Sequence, residues 1–352
     1  MADAVIVAIR TGKLAAVRAA VKENPAAARH PRAMLEASRR AFRPAIELLH
    51  RRGGDLNCSW RNYRPLHALI QEEPHAVAGT PSPGRLTCLE WLLSHGADPE
   101  QLGAWPAARA IVVAGFVGQP EFVERLRQAG ARVDGFAAAA LGDRKLVAKA
   151  LRDRPQFARE RDHGGLTALQ CAAGSRMPGA AAVEISKLLI EAGADVRAKT
   201  KSWNHDVDAA YFAAGSGSTA LFELLLQNGA DATEAFSHAV WGNHIELAEV
   251  ALAHGAEPDR ATANGKPLLN DLVRWGQVKQ TMWLLAHRAS PNIPDEDGWT
   301  AVHQAASRGN ARMLRAVLDA GGDSTLRDHQ GHTPVDIAQW KKVGKLAETM
   351  LR

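Results

Sequence analysis

Two short helical patterns follow one another repeatedly along this chain. The clearest copy begins at Asp297-Gly298-Trp299-Thr300-Ala301-Val302-His303-Gln304-Ala305-Ala306-Ser307-Arg308-Gly309 and runs through Met313, Leu314, Val317 and Leu318 to Gly321-Gly322-Asp323. Gly298 suits a tight turn, Thr300 a helix start, and Ala301 the first helical position, where the related stretch at Thr333 carries Pro334. Ala305 and Ala306 are small enough to let another helix approach closely, and Gly309 predicts a left-handed stop. Met313, Leu314, Val317 and Leu318 form one apolar stripe on a second helix, which Gly321 ends.

The rest of the chain reads as altered copies. Arg64-Pro65-Leu66-His67, Gly165-Leu166-Thr167-Ala168-Leu169-Gln170 and Gly331-His332-Thr333-Pro334-Val335-Asp336 repeat the helix start, with Gln170 in the slot of His303 and Tyr211 in the same slot of a further copy. Leu92-Leu93-Ser94-His95-Gly96-Ala97-Asp98, Leu188 to Asp195 and Leu224 to Asp231 repeat the close. Asn24 stands where the first copy should close in a left-handed conformation, and Arg288 where a later copy usually has Gly. Pro74, Gly79, Pro81, Pro83 and Gly84 predict a loop inserted at 74–84. The copies after Gly130 and after Asp231 are too short to include a hairpin before their first helix.

The pattern Gly-x-Thr-Pro-Leu-His-x-Ala-Ala, Gly, then Leu-Leu-x-x-Gly-Ala-Asp resembles the ankyrin repeat, whose period is about 33 residues. The resemblance implies an all-α solenoid of about eleven helix pairs with short β-hairpin fingers in some repeats. One solenoid over 1–352 is expected: degenerate N-terminal repeats with a cap at 1–57, repeats carrying the insertion at 58–160, better-formed repeats at 161–325, and a capping repeat at 326–352. Lys341, Lys342, Lys345, Glu348 and Arg352 give that last repeat a polar outer side. The start of the chain reads as a first repeat helix rather than a signal peptide.

The resemblance also implies a concave groove made by the fingers and the first helix of each pair. His67 and His303 become structural, bonded to Thr and to the backbone of the adjoining repeat. Counting Thr as position one, positions five, eight and nine are expected to face the groove. Repeats seven to ten then supply Phe212, His238, Trp241, Asp271, Arg274, Trp275, Gln304 and Arg308, and the fingers add Trp203, His205 and Trp299. Large rings bury area at small entropy cost, and an arginine beside tryptophan orients anions or stacks on planar groups. The competing reading is that these rings fill gaps between irregular repeats. Another set, Arg10, Arg39 and Arg40, falls on groove positions near the N-terminus and would hold phosphates, with Trp60 and Tyr63 stacking on bases; Glu36 interrupts it.

Composition adds little to this choice. The formal charge of +5 over 352 residues permits an acidic partner or nucleic acid without requiring either. Cys58, Cys88 and Cys171 are few and lack metal-ligand spacing, which reads as reduced thiols in a cytoplasm. No apolar run approaches the roughly 18 residues of a membrane span, and no phosphate loop, nucleophile motif or metal spacing is present, so no cofactor or metal is expected. The leading expectation is a non-enzymatic scaffold for a protein or peptide. One alternative is a small-molecule or nucleobase-directed enzyme with His238 and Asp271 as acid–base groups; another is a nucleic-acid-binding solenoid.

Overall fold

The computed structural model describes residues 3–71, 81–104, 106–179, 181–202, 205–260, 265–343 and 351. By internal contacts the chain divides into two compact units, Met1–Ser216 and Gly217–Arg352. Both are built from short helices, and the strands among the described residues are confined to two small antiparallel pairs.

The local rules are visible in the clearest repeat. Thr300 starts the helix Ala301–Arg308, and Gly309, at φ 65°, ends it. Asn310 then caps Ala311–Asp319 by accepting from the Met313 N–H at 3.2 Å, and Met313, Leu314 and Val317 are the buried stripe. Ten helix pairs and the first helix of an eleventh, Pro334–Trp340, are seen among the described residues. Lys345, Glu348 and Arg352 of the expected cap lie outside them.

In the first unit the leading helices stack in sequence: Asp3–Arg10 on Pro31–Arg39, then Pro65–Gln71, Ala110–Val117, Gly135–Leu141, Ala168–Ala173 and Ala209–Ser216. Behind them Leu14–Glu23, Arg43–Arg51, Pro83–Ser94 and Pro120–Gln128 form a parallel layer, as do Arg144–Asp153 and Ala182–Glu191. The second unit repeats the scheme, with Leu268–Trp275, Ala301–Arg308 and Pro334–Trp340 in front and Val278–Ala286 against Ala311–Asp319 behind. The core lies between the layers. Its front is mostly alanine, as at Ala137, Ala172, Ala305 and Ala306, all fully buried, which is what lets helices pack this closely.

Two strand pairs are fingers: Leu102–Gly103 with Ala108–Arg109, and Thr200–Ser202 with His205–Val207. At the two short copies the chain enters the next helix directly. Asp134 caps Gly135–Leu141 through the Ala137 N–H, and Asp231 caps Ala232–Trp241 through Thr233 and Glu234.

Two expectations are corrected. Asn24 is not left-handed but extended at φ −133°, and Arg154 in the equivalent place has φ −140°. Each precedes a proline, whose ring excludes helical conformations from the residue before it, and each leads into a 3-10 turn, Pro25–Arg29 or Pro155–Arg159. Pro83 and Gly84 belong to a helix, Pro83–Ser94, instead of the inserted loop, because proline is favoured in the first turn, where its missing N–H costs nothing. Of that insertion, residues 72–80 lie outside the described residues.

Candidate functional site

Position four of the repeat does the same thing in four repeats that a finger follows. The His67 Nε2 donates to the Ala108 carbonyl at 2.9 Å, Gln170 Nε2 to Val207 at 3.2 Å, Asn270 Nδ2 to Trp299 at 2.7 Å, and His303 Nε2 to His332 at 3.2 Å. In each case the acceptor is the residue just before position one of the next repeat. The ring of His303 also accepts from the Thr300 N–H at 3.2 Å. Burial pushes the His67 imidazole down to about 4 and also lowers His303, so both stay neutral. These histidines are joints between repeats.

Position five is covered in four of the five repeats where it is expected to face the groove. Cys171, Phe212, Asp271 and Gln304 are buried, and the ring of Phe212 packs against Phe116 at 5.5 Å and Tyr211 at 5.4 Å. Burial raises the Asp271 carboxyl above its ordinary range; Lys266 and Arg274 oppose this, and Asp295 adds to it. His238 and Trp241 are half-buried. His205 opens the strand that pairs with Thr200–Ser202, and Trp203 lies outside the described residues.

Positions eight and nine carry the open chemistry of the second unit. Arg274 and Arg308 are exposed, and Trp275 presents 62% of its surface. Arg308 is held in place by donating its Nε to the Arg274 carbonyl. Arg274, Trp299, Gln304, Ser307 and Arg308 line an open cavity of about 480 Å³ together with Asp295 and Asp297. Neither His238 nor Asp271 lines it.

The two aspartates were not singled out by sequence, although both lie just before the turn glycine of the finger. Asp295 organises that turn: its Oδ1 accepts from the N–H groups of Asp297 and Trp299 at 3.0 and 2.9 Å, and its Oδ2 from Gln304 Nε2 at 3.3 Å. Trp299 is fixed at both ends. Its carbonyl accepts from Asn270, and its indole N–H donates to Asp328 at 3.2 Å. The cavity wall is therefore preorganised, with guanidinium and carboxylate groups on the same rim.

The N-terminal arginines divide. Arg10 and Arg39 line a groove of about 260 Å³ with Ile6, Arg32, Leu35, Glu36, Trp60, Arg61 and Tyr63; Arg40 stands outside it. Arg10 and Arg40 are not held for phosphate alone, since their Nε groups both donate to Glu36 Oε1, at 2.9 and 3.0 Å. Burial pushes that carboxyl up, but the two guanidinium groups outweigh it and hold Glu36 below its ordinary value.

Reactive groups are otherwise buried. Burial pushes the Cys58 thiol up to about 12 and Cys88 to about 11, and raises Cys171 well above its ordinary value, which disfavours the nucleophilic thiolate. Among the described residues no three His, Cys, Asp or Glu side chains gather as metal ligands, and no helix is long and apolar enough to cross a membrane.

Comparison with known proteins bears on the whole arrangement. Models of ankyrin repeats match residues 284–338, as many copies, and residues 164–201, as a single repeat. An ankyrin repeat-containing protein of Schizosaccharomyces pombe is 40% identical over 50 residues, 14% of this chain and 24% of the relative, so the match spans about a quarter of that protein. Cyclin-dependent kinase 4 inhibitor B of Bos taurus is 32% identical over 117 residues, 33% of this chain and 87% of the relative. Among solved structures, the ankyrin repeat domain of Bcl-3, described as a unique member of the IkappaB protein family, aligns with a TM-score of 0.50 at 24% identity. It covers 62% of this chain and 99% of that domain, a likeness of fold.

Proposed function

Because the chain belongs to the ankyrin-repeat family, we propose that it is a non-enzymatic recognition scaffold that captures a protein or peptide through the groove edge of its second unit. Arg274, Trp275, Trp299, Gln304 and Arg308 are the contact residues of this reading. The observation that carries it is an indole left 62% exposed beside Arg274 on one leading helix, with Arg308 on the next held by its bond to the Arg274 carbonyl. A folded chain gains nothing from leaving so large a ring in water, and tryptophan and arginine are the residues that most often dominate binding energy at protein interfaces. The rim also carries Asp295 and Asp297, so it suits side chains of both signs, which favours a peptide over a uniform polyanion. One relative is named as an inhibitor of a protein, cyclin-dependent kinase 4, which supports a protein partner here.

The test is capture by immobilised chain, comparing wild type with Trp275→Ala and Arg308→Ala. A partner retained by wild type should bind each variant about 2 kcal/mol more weakly, roughly thirtyfold, with thermal unfolding unchanged. Equal capture by all three proteins would remove this edge from the binding surface.

A further inference from the structure

The groove at the start of the first unit has a different composition from the partner edge: an aliphatic floor fenced by guanidinium groups. Ile6 and Leu35, both buried, supply the floor. Glu36 sits beneath it as a fixed post. One carboxylate oxygen orients Arg10 and Arg40, whose side chains keep 56% and 47% of their surface exposed. On the other wall a bridge between Trp60 and Tyr63 holds two rings, with the guanidinium of Arg32 6.0 Å from the first and that of Arg39 5.9 Å from the second. Arg61, exposed at φ 49°, crowns the turn between them.

Charge and shape then select the occupant. Four guanidinium groups line it, those of Arg10, Arg32, Arg39 and Arg61, against the carboxylate of Glu36 and, at 3.3 Å from Arg32, that of Asp3, so an anion is favoured, and a guanidinium fork matches a planar carboxylate best. The space is below the about 300 Å³ at which small-molecule pockets begin, and its floor suits an apolar side chain. Base stacking needs open ring faces, whereas Trp60 and Tyr63 each already lie under a guanidinium. We infer that this groove docks an acidic peptide segment, with Asp or Glu side chains on Arg32, Arg39 and Arg61 and one apolar side chain on Ile6 and Leu35. The site lies in the first unit and does not depend on the partner edge of the second.

Fluorescence anisotropy of the full chain tests this, with a short labelled peptide of Asp and Glu around a central Leu as the probe. Saturable binding is expected at low salt, weakened by about tenfold or more in Arg61→Glu and in Trp60→Ala. Arg127→Glu, an exposed charge elsewhere in the first unit, should leave binding unchanged, and replacing the central Leu of the probe with Ser should weaken it severalfold. Circular dichroism confirms that each variant is folded, and the Trp60 variant serves if the Arg61 variant is not. The inference is overturned if the probe does not saturate, if Arg127→Glu weakens it as much as Arg61→Glu, or if a labelled oligothymidylate binds more tightly and competes with it.

Discussion

Arg288 closes the helix Val278–Ala286 at a left-handed position, φ 64°, donating its N–H to the Leu285 carbonyl at 3.0 Å. Gly96, Gly130, Gly193, Gly229, Gly255 and Gly321 do the same job in other repeats with φ between 84° and 97°. A side chain in this conformation costs about 1–2 kcal/mol, because Cβ crowds the following carbonyl. Glycine removes that cost but loses more freedom on folding, about 0.5–1 kcal/mol. Arg288→Gly is therefore expected to stabilise the second unit by about 0.5–1 kcal/mol. The reciprocal change is Gly255→Ala, where an added Cβ meets no atom within 4 Å, so only the backbone is perturbed. It should destabilise by about the same amount. Thermal melting would show midpoints shifted in opposite directions by about 2–4 °C per kcal/mol, and hydrogen exchange should place the Arg288 effect on Val278–Ala286. If Gly255→Ala destabilises while Arg288→Gly does so as well, backbone strain is not what governs position 288, and its guanidinium must make contacts worth more than the strain.

Other outcomes follow from the joints and the groove. Asn270→Ala leaves the Ile293 and Trp299 carbonyls without their donor and should cost about 1–3 kcal/mol by urea unfolding, whereas Asn270→His should recover most of it. His67 titrates at about 4 when folded against 6.5 unfolded, so its contribution is complete above pH 6.5 and is lost as pH falls toward 4; the shift is worth about 3 kcal/mol, and His67→Gln should flatten that acid limb of a stability-versus-pH curve. Trp275→Ala should leave the melting midpoint within about 1 °C of wild type, since a ring so exposed buries little apolar area.

How far the sequence was legible depended on whether a residue acts locally. Thr300, Asn310, Gly309 and Gly321 act on their own turn of backbone, and each does what its chemistry dictates. The substitution of His by Gln170 was visible, and its meaning was recoverable because an amide can make the same two bonds as an imidazole. Asn24 was misread because only half of the local signal was used: its own tolerance of left-handed backbone counted for less than the proline after it. The groove was harder. Position five lies on the same helical face in every repeat, but whether it is open depends on what packs over it, as Phe116, distant in sequence, does over Phe212. Asp295 and Asp297 look like ordinary turn residues, and only the fold shows them sharing a rim with Arg274 and Arg308.

The joints at position four have a mechanical consequence. At His67, Gln170, Asn270 and His303 a side chain is bonded to a carbonyl across the seam, so sliding one repeat over the next must break a directional bond. Before the fingerless helix Gly135–Leu141 the same position is Val112, fully buried, and Gly115 is set so near the Ala140 carbonyl that a Cβ there would lie 2.6 Å from it; polar bonds cross that seam from Arg109 instead, to the Asp134 carboxylate at 2.7 Å and the Arg132 carbonyl at 3.0 Å. Apolar contact resists separation but not shear, so at that seam it is Arg109 that resists sliding. In a chain pulled from its ends in an optical trap, Arg109→Ala should therefore lower the force at which the Ala110–Val117 and Gly135–Leu141 helices slip past one another.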